Sequence, residues 1–155
     1  MPELGQPVPM SAHHIRKGTL VFISGHPCKI TETATSKTGK HGHAKVTFAG
    51  VDIFTGKKYS GVEPGHAVMM QPPCVKTEYL LCDLDEKEGT LNLMADDGSE
   101  VVINLPAEFK DAEGINTALG NDKEVTIATL TSCVETAKDT YVNQEVYDSF
   151  KVINQ

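Results

Sequence analysis

The sequence predicts a mostly-β protein built from two small antiparallel barrels, with one short helix in the second barrel. Short runs rich in β-branched and aromatic residues alternate with turns rich in Gly, Pro and Asp along most of the chain. The dipeptide Pro72-Pro73 interrupts this pattern, and proline favours an extended connection because it lacks a backbone donor. A length of 155 residues is sufficient for two such domains.

The first barrel is predicted over residues 15–72. Three β-rich runs occupy residues 19–24, 28–35 and 44–54, and the turns between them contain glycine. Gly50 lies inside the third run, where it indicates a bulge or a bend. Because no helical pattern is present in this half, we expect a strongly bent antiparallel barrel.

The second domain is predicted over residues 73–155 and begins with a three-stranded meander. Its strands are expected at residues 75–85, 90–95 and 100–105, since the turns between these runs are rich in Gly and Asp. A fourth strand is expected at residues 124–134.

One helical stretch, residues 106–120, separates the third and fourth strands of this domain. Pro106 suits its first turn and Gly120 suits its end. Residues 141–155 are compatible with either a helix or a fifth strand. Three strands, a helix and one or two further strands form the order of an OB-fold, a small barrel that often binds nucleic acids.

The N-terminus and the cysteines bear on the compartment. Residues 1–14 lack the basic start and the apolar run of a signal peptide, so we expect a short flexible tail. No apolar run approaches the ~20 residues that a bilayer requires, which argues against a membrane partner. The four cysteines form no CxxC pair and are expected to be buried or free cytosolic thiols. These features predict a cytoplasmic protein.

Charge is divided unevenly between the two halves. Residues 1–73 hold eight Lys/Arg and four Asp/Glu, a balance of +4, whereas residues 74–155 hold six and seventeen, a balance of −11. The two balances give the net charge of −7. The basic half is therefore the one suited to a polyanion, because lysines gain affinity by displacing counterions from phosphates. The acidic half is read as a solvated face.

The most unusual stretch is SKTGKHGHAKV, residues 36–46. Three lysines, two glycines and two histidines occur between Lys37 and Lys45 with no carboxylate among them. Gly39 and Gly42 bracket Lys40, so the backbone can turn tightly and present that lysine at the tip. Three interpretations stay open from the pattern alone: a solvated hairpin loop, a phosphate contact, or a lysine that is covalently modified.

No constellation for catalysis or metal binding is found. A phosphate-binding P-loop fails because Ala34 stands where its first glycine belongs and His41 follows Gly39-Lys40. His41 and His43 have no carboxylate or cysteine nearby to complete a metal site. We therefore predict no catalytic residue, no metal, no cofactor and no enzymatic activity.

The same basic stretch carries a family resemblance. ATSKTGKHGHAKV, residues 34–46, resembles the signature loop of the eukaryotic translation initiation factor 5A family, and the similarity continues through AGVDIFTGKKY at residues 49–59. The resemblance implies an SH3-like N-terminal barrel followed by an OB-fold. It also implies that Lys40 becomes hypusine, formed from spermidine by deoxyhypusine synthase and completed by deoxyhypusine hydroxylase. The modifying enzymes are then expected to read the flanking residues Lys37, Gly39, His41, Gly42 and His43.

The resemblance further implies a ribosomal function. Such a factor binds the ribosome, extends the hypusine toward the acceptor end of the peptidyl-tRNA, and promotes elongation through stalling sequences such as polyproline, as well as termination. A homodimer is a further possibility that the family suggests. The rival hypothesis is a general RNA-binding adaptor with an unmodified loop. Five lysines are candidate RNA contacts: Lys37, Lys40 and Lys45 from the basic loop, and Lys57 and Lys58 from charge alone.

Overall fold

The computed structural model describes residues 1–37 and 44–153. Within these residues the chain contains eleven strands, one 3-10 turn and one α-helix. In chain order they are β1 (Val8–Ser11), the 3-10 turn (Ala12–His14), β2 (Leu20–Ile23), β3 (His26–Lys37), β4 (Ala44–Asp52), β5 (Lys58–Pro64), β6 (Val68–Gln71), β7 (Val75–Asp85), β8 (Thr90–Met94), β9 (Glu100–Asn104), α1 (Ala112–Gly120), β10 (Glu124–Ala137) and β11 (Thr140–Ile153).

The chain divides into two compact units. The N-terminal unit consists of Leu4–Pro73 and Ser132–Asn143, and the C-terminal unit consists of Met1–Glu3, Cys74–Thr131 and the residues from Gln144 onward. The tip of the β10–β11 hairpin is therefore part of the N-terminal unit, although it lies within residues 73–155, the range predicted for the second domain.

The N-terminal unit is the predicted SH3-like barrel. Strands β2, β3, β4 and β5 form a four-stranded antiparallel sheet in chain order, and β1 pairs with β6. Alternate residues of the strands point inward, as the period-two pattern predicts. Their buried apolar side chains form one core, which includes Ile15, Val21, Ile30, Val46 and Phe48.

The prediction of a flexible tail over residues 1–14 is wrong for residues 8–14. Val8–Ser11 pairs with Val68–Gln71, a segment about sixty positions further along the chain. The following residue, Ala12, is fully buried, and its backbone N–H donates to the carbonyl of Ala67 at 3.0 Å. This segment is ordered by its pairing with a distant strand. The sequence did not reveal it because four residues are too few to show a pattern of their own.

The bulge expected at Gly50 lies in the partner strand instead. The register between β3 and β4 shifts between Ile30 and Glu32, which pair with the adjacent residues Gly50 and Ala49. Thr31 is therefore the extra residue of a bulge in β3. Gly50 has a different role, since a Cβ on it would lie 2.9 Å from the carbonyl oxygen of Lys29. The glycine permits the two strands to approach closely at the bend.

The C-terminal unit has the strand order β11-β10-β7-β8-β9, with all described pairs antiparallel. Along the chain the helix lies between β9 and β10, the third and fourth strands of this domain, which is the predicted OB-fold order. Residues 140–153 form the fifth strand, so the choice between helix and strand is settled in favour of a strand. The core contains Leu91, Leu93, Ile115, Val125 and Ile127.

The helix is shorter than predicted, because it begins at Ala112 and leaves Pro106 outside. Asp111 stands at the N-cap position, but its side chain makes no capping hydrogen bond. Its carboxylate accepts a hydrogen bond from the Tyr147 hydroxyl at 2.7 Å instead. Phe109 precedes the helix and packs edge-on against Tyr147, with ring centroids 5.0 Å apart. The side chains of Phe109 and Asp111 therefore contact Tyr147 of β11.

Candidate nucleic-acid interface

The basic loop is carried by two long paired strands. At the end of this pairing Lys37 of β3 lies opposite Ala44 of β4, and Ser36 lies opposite Lys45. The side chains of Lys37 and Lys45 are both exposed. The structure therefore places these two predicted contacts at the base of the loop, one on each strand and with their side chains on opposite faces of the hairpin.

A backbone network around Gly65 fixes the return arm of the loop. The N–H of Gly65 donates to the carbonyl of Ala44 at 2.8 Å. The carbonyl of Gly65 accepts from the Ser11 hydroxyl at 2.8 Å and from the His13 N–H at 3.0 Å. On the neighbouring ladder, Lys45 pairs with Pro64. The loop base is thus attached to β5 and to the 3-10 turn as well as to β3.

Gly65 leaves room for the imidazole of His13. The residue is buried, and a Cβ on it would collide with the imidazole of His13. The His13 ring itself remains exposed to solvent. Close packing of this ring on the Gly65 backbone holds the 3-10 turn next to the loop base.

The remaining loop predictions fall on residues outside the described ranges. They concern Gly39, Lys40, His41, Gly42 and His43. The assignment of Lys40 as the modified residue, and of its neighbours as recognition positions, therefore stays a prediction.

Lys57 and Lys58 lie at the other end of β4. They follow the turn at Asp52–Gly56, in which the Gly56 N–H donates to the Asp52 carbonyl at 2.8 Å and Gly56 has a φ of 78°. Ala44 and Asp52 stand at opposite ends of β4, and the eight residue steps between them span about 26 Å of extended strand. The structure therefore does not bring this pair of lysines together with Lys37 and Lys45.

A polar cluster beside Lys57 was not anticipated from the sequence. The Nδ1 atom of His26 lies 3.3 Å from Oδ2 of Asp52, a carboxylate whose side chain is only 2% exposed. The His26 ring stacks on Tyr59 with centroids 4.6 Å apart and planes inclined by 17°. The sequence does contain a signal, since a histidine precedes proline at a strand start and an aspartate opens a glycine turn. Their contact depends on the β3–β4 register.

The cysteines do not provide a nucleophile in this unit. Burial, together with the negative charge of Asp52, raises the pKa of Cys28 to about 11 from 9.0. Burial also raises the pKa of Cys133. Both thiols therefore stay protonated near neutral pH, whereas the attacking species in cysteine chemistry is the thiolate.

Among residues 1–37 and 44–153, no group of three or more His, Cys, Asp or Glu side chains is placed to hold a metal ion. No helix in these same ranges has the length and hydropathy needed to cross a membrane.

The sequence is similar to known translation factors. The family model for the N-terminal domain of translation initiation factor 5A-like proteins matches residues 5–67. Eukaryotic translation initiation factor 5A of Spodoptera exigua is 42% identical over 132 residues, which cover 82% of this chain and 79% of the relative. Factor 5A-1 of Saccharomyces cerevisiae is 38% identical over 129 residues, covering 83% and 81% of the two chains.

Solved structures of translation initiation factor 5A proteins are also similar to this chain. A translation initiation factor eif-5a family protein of Naegleria fowleri superimposes with a TM-score of 0.75 at 36% identity, covering 95% of this chain and 99% of the other. The factor from Methanococcus jannaschii gives a TM-score of 0.65 over 99% of both chains at 18% identity, a likeness of fold.

Fold and relatives together define a two-domain β protein of the translation-factor class, with an SH3-like barrel followed by an OB-fold. The chain belongs to the translation initiation factor 5A family. The predicted family and fold class are thereby confirmed.

Proposed function

We propose that this protein binds the ribosome and acts through a hypusine on Lys40. The observation that supports the proposal most directly is the loop sequence from Lys37 to Lys45, which contains no carboxylate and lies in a chain of this family. The two paired strands that carry it provide a firm base. In this role the modified side chain stabilises the acceptor end of the peptidyl-tRNA, which promotes elongation through polyproline and other stalling sequences and assists termination.

The physical basis of this role is positioning. Hypusine lengthens a lysine by several atoms and adds a second amine, so the side chain gains reach and positive charge among RNA phosphates. Holding the reacting groups of the peptidyl-transferase centre in a productive arrangement lowers an entropic barrier. The protein needs no catalytic residue of its own for this effect, and we propose that it is not an enzyme.

The modification requires two partner enzymes. Deoxyhypusine synthase transfers the aminobutyl group of spermidine to Nζ of Lys40, and deoxyhypusine hydroxylase then adds the hydroxyl group. We propose that both read the loop residues Lys37, Gly39, His41, Gly42 and His43. A cytoplasmic location, where ribosomes and these enzymes meet, is part of the proposal, as is a homodimer of the unmodified chain.

The test is mass spectrometry of the Lys40 peptide from the native source. The expected result is an added hydroxylated aminobutyl group, whereas a wholly unmodified peptide would support the alternative of an RNA-binding adaptor. A depletion-rescue assay provides the functional readout. Lys40→Arg is expected to fold but not to restore growth, while the matched substitution Lys17→Arg restores it. Normal growth with Lys40→Arg would contradict the proposal.

A further inference from the structure

The cluster around His26 is more highly organised than an exposed surface histidine requires. Both carboxylate oxygens of Asp52 are engaged, because Oδ1 accepts the N–H of Phe54 at 2.8 Å and Oδ2 faces Nδ1 of His26 at 3.3 Å. The carboxylate is thus held inside the barrel while the His26 side chain is 38% exposed. A buried acid fixes the orientation of a surface imidazole.

This geometry determines which ring nitrogen is available. Nδ1 is the nitrogen that faces Asp52, so Nε2 is the one left to meet a ligand. Stacking on Tyr59 fixes the plane of the ring. In the neutral form Nε2 is an acceptor, and on protonation it becomes a second charged donor. Protonation therefore converts the exposed edge of His26 into an anion-binding group.

Lys57 is attached to the same cluster through its backbone. Its carbonyl accepts the N–H of Asp52 at 2.8 Å, so the two residues are adjacent across the turn. Successive side chains of a strand point to opposite faces, so Lys58, the first residue of β5, points away from the face of Tyr59. Lys58 therefore provides a natural control for Lys57.

Protonation of His26 changes the net charge of the cluster. With His26 neutral, Lys57 and Asp52 cancel, and with His26 protonated the cluster is positive by one charge. Glu135 of β10 contacts the residue before His26, because its backbone N–H donates to the carbonyl of Gly25 at 2.9 Å, and it is the acidic residue of another segment attached to this turn. Its negative charge opposes an approaching phosphate, so the subsite depends on the positive charges of Lys57 and protonated His26.

We propose that His26 and Lys57, positioned by Asp52 and Tyr59, form a second phosphate subsite for RNA at the end of the barrel remote from the basic loop. The subsite binds the phosphodiester backbone and binds it more tightly when His26 is protonated. This proposal rests on the proposed function, since it extends the RNA contact of the same factor. Phosphate contacts of this kind add affinity and orientation without reading sequence.

The experiment measures binding of the full chain to a fluorescein-labelled oligouridylate by anisotropy. Measurements at about pH 5.5 and about pH 8 lie on either side of the range in which imidazoles as a class change charge. We expect several-fold tighter binding at the lower pH for the unsubstituted protein. His26→Gln is expected to reduce this gain, and His26→Arg is expected to bind tightly at both pH values. His14→Gln, which alters an exposed histidine outside the cluster, leaves the gain unchanged.

Salt dependence tests Lys57 separately. The slope of log K against log salt is expected to fall by about 0.7 in Lys57→Ala, the value for one phosphate contact on a single strand. Lys58→Ala is expected to keep the original slope. Addition of inorganic phosphate distinguishes a site for any phosphate from one that needs the RNA backbone: the proposal expects only weak competition.

Three outcomes would overturn the proposal: an undiminished pH response in His26→Gln, weak binding by His26→Arg at both pH values, or no binding of the unsubstituted protein at either pH. Circular dichroism melts verify that each variant is folded. None of these outcomes bears on the mass of the Lys40 peptide, so the subsite can fail while the hypusine proposal stands. Conversely, an unmodified Lys40 together with an intact pH response would contradict the hypusine proposal and leave the subsite standing.

Discussion

The hydroxyl of Tyr79 donates to the carboxylate of Glu145 at 2.6 Å within the C-terminal unit. The same carboxylate oxygen accepts the Thr129 hydroxyl at 2.7 Å, and Thr129 is fully buried. Three strands, β7, β10 and β11, are thereby joined by one acceptor. Hydrogen bonds to a charged group are stronger than those between neutral groups, so this network fixes the last strand of the OB-fold.

We predict that Tyr79→Phe lowers the free energy of unfolding by about 1.5–3 kcal/mol, the range for hydrogen bonds to charged partners. The measurement is the urea midpoint followed by circular dichroism. Glu145→Gln and the double substitution complete a cycle that isolates the coupling between the two side chains. A coupling energy close to zero would show that Tyr79 contributes by packing alone.

Alkaline pH is expected to destabilise the protein. Burial, followed by the Glu145 hydrogen bond, raises the pKa of Tyr79, and burial with the Asp111 hydrogen bond raises that of Tyr147. A group whose pKa is raised in the folded state contributes stability that is complete below its unfolded pKa and lost as pH rises above it. For tyrosine this loss begins near pH 10.

Cys28 extends the same effect to lower pH, because its pKa of about 11 exceeds the ordinary 9.0. The unfolding free energy should therefore begin to fall above about pH 9 and fall further above about pH 10. Urea titrations at a series of alkaline pH values provide the measurement. Tyr147→Phe removes one ionising group, so its curve should be flatter, whereas an identical slope would contradict the assignment.

Gly65→Ala is predicted to destabilise the base of the basic loop. The new Cβ meets the His13 ring, and the ring must move or the backbone must shift away from Ala44. Because the His13 ring is exposed and can swing aside, the cost should lie below the ~1–3 kcal/mol of overpacking a well-packed core. Thermal denaturation gives the loss of stability, and amide exchange of Ala44 and Lys45 reports the loop base directly.

Gly5→Ala is the matched control, because no atom lies within 4 Å of a Cβ at that position. It should leave both the melting temperature and the exchange rates unchanged. Equal effects of the two substitutions would mean that contact with His13 is not what requires glycine at position 65.

Most strands follow from the sequence because alternating burial is a local property. Residues 100–105 were predicted as a strand, and β9 covers Glu100–Asn104. Features that depend on distant pairing were missed. The pairing of β1 with β6 is one example, and the contact of His26 with Asp52 is another, since it requires the register that pairs Cys28 with Asp52. Helix α1 was overextended because Pro106 favours a first turn locally, while tertiary contacts fix residues 106–111 differently.

The hairpin tip within the N-terminal unit is the part of the fold least visible in the sequence. The Glu135 N–H donates to the carbonyl of Gly25 at 2.9 Å, and Tyr141 stacks on Phe22 with centroids 5.3 Å apart. Gly25 has a φ of 83°, and a Cβ there would lie 3.0 Å from the Glu135 carbonyl oxygen. Glycine at position 25 therefore serves both the β2–β3 turn and the close approach of the tip.

These two roles can be separated by comparing Gly25→Ala with Gly56→Ala. Both positions have positive φ, so each substitution should cost roughly 1–2 kcal/mol for the left-handed backbone. Only position 25 faces another strand, since no atom lies within 4 Å of a Cβ at Gly56. We expect Gly25→Ala to be the more destabilising in urea titrations and to accelerate amide exchange at Glu135. Equal losses, with unchanged exchange at Glu135, would show that the tip contributes nothing to the stability of the barrel.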